Sequence, residues 1–351
     1  MKPNLLIPLM TLVMTVSASA SALESPPPAA ALNRPAVQSP KAAKMAILNV
    51  ARAGKRLLAA GERGIVLYSD DDGRSWTQAQ TPTSASLTAM RFVDDKQGWA
   101  VGHMGIVLHT VDGGQTWTKQ LDGVAAAHLS LEAAQKGGDP RALRDAERLV
   151  ADGADKPFFD ICLIDDHTLF IVGAYNLAMR SDDGGKTWAA WQSHIANPRG
   201  LHLYAIHAVG DALFIAGEQG LLLRSGDHGQ KFTPVASPYK GSWFGMVAER
   251  NGSLLAYGLR GNVYVSKNLG KTWQQAASGT PASISAGAEL VDGRVVLVSQ
   301  AGEVLVSNDQ GFHFAPLPER TGLPLTAVAQ GLDDLVLGSL RGVHAVALPG
   351  K

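Results

Sequence analysis

The 351-residue chain carries 31 basic and 31 acidic side chains, is 46% hydrophobic and 18% charged, and holds 38 glycines against one cysteine. Balanced charge excludes a bulk electrostatic pull toward nucleic acid or an anionic membrane, and a lone cysteine, Cys162, excludes a disulfide framework. The apolar fraction suffices for one sizeable folded unit, and the glycine count fits a chain built of hairpins.

The first residues read as an export signal. Lys2 precedes an apolar stretch from Leu5 to Val16 and small residues at Ala18, Ala20 and Ala22, so residues 1–22 are expected to be a signal peptide cleaved near Ala20 or Ala22. The stretch is shorter than the roughly 20 residues that span a bilayer, which predicts removal, no stable membrane insertion afterwards, and a periplasmic location. Residues 23–33, rich in Pro and Ala, read as an extended tether.

From Ser69 onward a unit S/T-x-D-x-G-x-x-aromatic recurs six times: Ser69 to Trp76, Thr110 to Trp117, Ser181 to Trp188, Ser225 to Phe232, Ser266 to Trp273 and Ser307 to Phe314. Its glycines at 73, 114, 185, 229, 270 and 311 give one recurring spacing of 41 residues, the length of one four-stranded propeller blade. Hydroxyl and carboxylate groups tighten turns and glycine admits positive φ, so Asp71, Asp112, Asp183, Asp227, Asn268 and Asp309 are expected to brace turns. Such repeats resemble the Asp-box, or BNR, propellers.

Upstream of each box stands a second signature, Gly-x-x-Gly followed by apolar residues, as in Gly61 to Gly64 and Gly102 to Gly105. Two residues between glycines suit a tight hairpin, and one further apolar run precedes each, giving strands a to d from the axis outward. A seventh unit, Leu325 to Ala347, repeats the hairpin as Ser339-Leu340-Arg341-Gly342 but ends before any box. The expected fold is therefore an all-β, seven-bladed β-propeller of four-stranded antiparallel blades over residues 34–348. Arg34 to Ala43 is expected to supply the missing fourth strand and hide an open sheet edge.

One interval is long, with about 30 extra residues between Gly123 and Pro157. Asp139 can cap a helix that begins at Pro140 and places Leu143, Ala146, Leu149 and Val150 on one face, so residues 123–157 read as a helical insertion between blades 2 and 3.

In a propeller the b-to-c hairpins and d-to-a connections converge on one face. There the sequence places Glu62, Arg63, His103, Tyr175, Glu218, Arg260 and Arg341 on hairpins, and Arg199, His202, Tyr239, Lys240 and Trp243 on connections. Arg63 and Arg341 are expected to be neighbours once the ring closes. Arginine grips carboxylates and stacks on aromatic rings, so this face is a candidate site for a protein or peptide partner. The competing reading has these arginines paired with Glu62 or Glu218 for solubility. No spacing suits a metal, no cofactor motif is present, and no nucleic-acid motif appears. A sialidase-type glycosidase, or a glycan-binding propeller, is the alternative, because sialidases share this repeat; the arginines and tyrosines exist, but the general acid and the Arg-Ile-Pro type motif do not.

A closer resemblance spans nearly the whole mature chain. Gly61-Glu62-Arg63-Gly64 with Ser69 to Trp76, Gly98 to Gly102 leading to Thr110 to Trp117, and Ser242 to Met246 are similar to the photosystem II stability and assembly factor-like propellers. The insertion after Gly123 looks like that of the bacterial exported subgroup. The resemblance implies a non-catalytic scaffold that assists assembly or stability of an envelope or membrane complex, with Arg63, Arg260 and Arg341 as partner-binding residues.

Overall fold

A computed structural model describes residues 29–348 and 350; the expected signal peptide and its cleavage site lie outside them. The strands form seven antiparallel sheets, six of four strands and a last one of three. The inner, a, strands are Ile47–Ala53, Leu87–Phe92, Phe158–Leu163, Leu203–Val209, Trp243–Ala248, Ile284–Glu289 and Leu325–Gln330. The chain is a seven-bladed propeller. Each b strand reads as a continuous apolar run, such as Gly98–Gly102 or Val295–Ser299, because both its faces are covered by neighbouring blades. The core is accordingly divided into one cluster per gap: Leu58, Met90 and Trp117 fill the gap between blades 1 and 2, and Ile47, Leu57, Ala327 and Val336 the gap between blades 7 and 1.

The boxes close the c-to-d turns. In the first, the Ser69 hydroxyl donates to Asp71 at 2.8 Å and accepts the Gly73 amide at 2.7 Å, while Asp71 also accepts the amide and hydroxyl of Ser75. The hydroxyl-to-carboxylate bond and the amide bond from the fourth residue recur around Asp112, Asp183, Asp227 and Asp309, while the second hydroxyl bond recurs from Thr116 and Thr187 and is replaced at Asp309 by the His313 ring. Asn268 keeps the pattern by turning its amide nitrogen toward the Thr272 hydroxyl at 2.8 Å.

Ring closure differs from the expectation. The last sheet ends at Gly342–Ala347, and residues 34–43 do not pair with it. They lie instead along the outer edge of blade 1: the Ala36 amide donates to Thr81 O, the Ser39 amide to the Gln78 side chain and the Gln78 amide group to Val37 O. Nor is the described part of the tether extended. Helix α1 (Ala29–Leu32) seats Leu32, 2% exposed, in the core between blades 1 and 2. The ring closes by blade-to-blade contact, with Asp72 accepting the Leu332 amide, Arg52 donating to Gln330 O and Thr326 to Ile47 O. One detail reproduces the other blades. A Cβ on Gly64 would fall 2.0 Å from Thr83 O, the connection into blade 2, and one on Gly342 would fall 2.2 Å from Ala43 O, the connection into blade 1. Glycine is needed at both because two backbones meet there.

The insertion holds two helices. The expected one is α3 (Pro140–Asp152), whose cap Asp139 accepts the Arg141 amide at 2.9 Å. The other, α2 (Gly123–Gly137), is additional; Asp122 caps it through the Ala125 amide and Gly138 ends it in the left-handed conformation. This Asp-to-Gly bracket was a legible signal. Among the described residues no helix is long and apolar enough to cross a membrane.

Candidate functional site

Alternating strand direction places the b-to-c hairpins and the d-to-a connections at one end of the barrel, opposite the boxes. Five hairpins are single tight turns whose third residue, Arg63, Met104, Tyr175, Gln219 or Arg260, adopts φ between 52° and 60°. A left-handed backbone at a non-glycine residue costs energy and holds only where neighbours over-determine it. Here the neighbour is the next blade: the amides of Arg63, Gln219 and Arg260 donate to the hydroxyls of Ser86, Ser242 and Ser283, and that of Tyr175 to His202 Nδ1 at 3.0 Å. Arg341 departs from this arrangement. Its amide bonds to Ser339 in its own blade, and the positive φ passes to Gly342.

The guanidinium groups of Arg63, Arg260 and Arg341 are exposed and, among the described residues, take part in no ion pair or hydrogen bond. Glu62 and Glu218 are occupied elsewhere, Glu62 by the Ala46 amide and Glu218 by the His202 amide, so the charge-pairing alternative is not what forms. By contrast, Arg56 and Arg180 away from this rim are paired with Asp70 and Asp182. Arg63 and Arg341 occupy tips of adjoining blades, and among the described residues no hydrogen bond or ion pair links them.

The aromatic residues are sorted differently from the sequence expectation. Trp243 is fully buried, its ring nitrogen bonded to Ser237, and does not reach the rim. Tyr239 packs against it at 5.4 Å with its hydroxyl directed at Leu259 O, so Tyr239 is half a core residue. His103 and Tyr175 are exposed. Lys156, at the end of the insertion, lies 5.6 Å from the Tyr175 ring and is paired with Asp152 and Asp155.

Three rim residues escaped the sequence reading. Every inner strand has a β-bulge just after its first residue, and the bulged residues are Leu48, Thr88, Phe159, Tyr204, Phe244, Ser285 and Thr326. A bulge re-aims one side chain, here away from the inter-blade core and toward the mouth of the central channel. In blades 3 to 5 the result is a run of rings, Phe159 to Tyr204 at 5.3 Å and Tyr204 to Phe244 at 5.8 Å, flanked by His202 and Tyr175 at 4.5 Å from each other. Burial, reinforced by the Glu218 carboxylate, raises the Tyr204 phenol above its ordinary range. The paired aromatics in Phe158-Phe159 and Trp243-Phe244 were the available signal, since two adjacent strand residues cannot both enter one inter-blade core, although the pair does not show which one turns away.

Below the rim polar contacts join the inner strands of blades 2, 3 and 4. Asp160, 6% exposed, accepts from Arg91 and from the Ile206 amide, and His207 Nε2 lies 3.7 Å away. Burial pushes the neighbouring Cys162 thiol up to about 12, which leaves it protonated and unreactive. At the opposite end Asp165, Asp166 and His167 bring ligand atoms within 4.8 Å of one another on an exposed turn. Those atoms are engaged by the turn itself, Asp165 by the His167 and Thr168 amides and Asp166 by the His167 ring.

The profile of the family described as photosynthesis system II assembly factor YCF48 matches residues 72–136 and 144–320 of the chain, more than half of its length. The chain belongs to the YCF48 family. A relative, photosystem II assembly lipoprotein Ycf48 of Synechococcus sp. (strain CC9902), is 25% identical over 159 residues, covering 43% of this chain; the chain spans about half, 46%, of that relative. Two solved YCF48 propellers share the fold: one described as YCF48 bound to D1 peptide (TM-score 0.65, 15% identity, 90% of this chain and 96% of that one) and one from Cyanidioschyzon merolae (TM-score 0.63, 15% identity, 88% and 96%). The WD40 propeller of Doa1 superposes comparably, with TM-score 0.64 at 10% identity over 91% of this chain and 97% of that one, so these likenesses concern architecture.

Proposed function

We propose that this protein is an exported, non-catalytic assembly factor that holds an extended segment of a membrane-complex subunit on its hairpin rim. The observation that carries this reading is the set of unpaired arginines, Arg63, Arg260 and Arg341, on the same rim as the partly exposed aromatic rings. Unpaired guanidinium groups with aromatic neighbours are the pattern of a surface that recognises carboxylates and side chains together. Membership in the YCF48 family supports an assembly role, and a related propeller described as binding D1 peptide supports a peptide as the ligand class.

Capture from detergent-solubilised envelopes tests the reading. The wild-type chain is expected to retain a membrane-protein subunit that the Arg63→Ala/Arg260→Ala/Arg341→Ala variant releases, with both variants equally folded. Identical retained proteins from both would refute the role of the arginines. Export is tested by the mass of the chain recovered from the periplasm, which is expected to correspond to cleavage near Ala20 or Ala22.

A further inference from the structure

Six of the seven bulged residues of the inner strands fall into two kinds, the seventh being Leu48 of blade 1, a half-buried aliphatic side chain. Where they carry a short hydroxyl they tie adjacent blades: Thr88 donates to Phe158 O at 2.7 Å, Ser285 to Leu325 O at 2.5 Å and Thr326 to Ile47 O, in each case the first inner-strand residue of the next blade. Phe159, Tyr204 and Phe244 stand at the same position in three consecutive blades and make no such bond. They are not repaid by burial, because all three remain partly exposed at the channel mouth. The hydroxyl gains an inter-blade hydrogen bond that these rings forgo, so three successive partly exposed rings at the channel mouth point to a ligand.

We propose that Phe159, Tyr204 and Phe244 form a side-chain subsite that seats an aromatic or branched apolar residue of a peptide whose neighbouring carboxylate reaches Arg260. The hairpin carrying Arg260 belongs to blade 5, the blade of Phe244, and its guanidinium is unpaired. At the other end of the run Lys156 is neutralised by Asp152 and Asp155. Within blades 3 to 5, among the described residues, the unpaired guanidinium stands at the Phe244 end, which sets the polarity of the ligand: apolar residue over blades 3 to 5, acidic residue toward Arg260 of blade 5. This rests on the peptide-binding reading above.

Selection of a random decapeptide display library on the full chain tests the subsite. The wild type is expected to enrich peptides with Phe, Tyr, Trp, Leu or Ile a few residues from Asp or Glu. In Phe159→Thr/Phe244→Thr the apolar preference is expected to fall roughly tenfold or more, as burial of one such side chain predicts, while the acidic preference persists. Its melting temperature should hold or rise, since Thr can restore the inter-blade bond; Tyr204→Ser gives a second reading with a single ring changed. The arginine triple variant should show the converse, losing the acidic preference first. Unchanged apolar enrichment in both ring variants overturns the subsite and leaves the peptide-binding reading standing. A wild type that selects no peptide overturns both, and ring-dependent binding to a glycan array in place of peptides overturns the proposed occupant.

Discussion

Asp160 and Arg91 face each other across the boundary between blades 3 and 2, carboxylate to guanidinium at 3.2 Å. The other carboxylate oxygen accepts the Ile206 amide of blade 4 at 3.0 Å, so one side chain ties three blades at the axis. Removing one member of a buried pair leaves the other charge uncompensated, which costs about 3 kcal/mol or more when both are dry. Arg91 is 36% exposed, so Asp160→Ala is expected to lower stability by about 2 kcal/mol after allowance for solvent screening. Urea denaturation checks this, and a loss below about 0.5 kcal/mol would show that the axial contact contributes little.

Acid sensitivity should concentrate in the boxes. Hydrogen bonds from the Ser75 hydroxyl and amide, then the Ser69 hydroxyl, lower Asp71 from 3.8 to about 2. At Asp309 desolvation works in the opposite direction, but the hydrogen bonds to His313 outweigh it and the carboxyl again falls to about 2. A carboxyl lowered on folding contributes stability above its unfolded value, near 3.8, and loses that contribution as pH falls toward about 2. Melting temperature is thus expected to decline across this window, and more shallowly in Asp71→Asn/Asp309→Asn. A slope identical in variant and wild type would place the acid-labile groups elsewhere.

Asn268 shows that a box survives without its charge, because the amide nitrogen donates where a carboxylate oxygen would accept. Asp112→Asn should then cost less than about 1 kcal/mol, whereas Asp112→Ala, which abandons the Thr110, Gln115 and Thr116 bonds, should cost about 1–2 kcal/mol. Thermal unfolding of the two variants, with equal losses counting against this account, separates the roles of charge and geometry.

The N-terminal segment should matter through Leu32 and not through strand pairing. Leu32→Ala empties a buried site between blades 1 and 2 and is expected to cost about 2–4 kcal/mol. Proline placed at Val37, whose side chain is 76% exposed, leaves the Ala36 and Ser39 amide bonds in place and should cost much less. Comparable losses at both positions would instead favour a role for the backbone of this segment.

The sequence by itself determined the propeller, its seven repeats, the boxes and the identity of the hairpin rim. Each of these is local: a turn needs its hydroxyl, carboxylate and glycine within eight residues, and a hairpin within four, so spacing alone reveals them. Only the tertiary structure decided which side chains on that rim are available. Whether Trp243 or Phe244 faces the channel depends on a bulge set by pairing with the b strand, whether Arg63 is free depends on Glu62 being held by a residue outside its hairpin, and whether residues 34–43 pair with blade 7 or lie on blade 1 depends on competition between two distant edges. Those outcomes are settled by contacts between segments far apart in the chain, which no local pattern encodes.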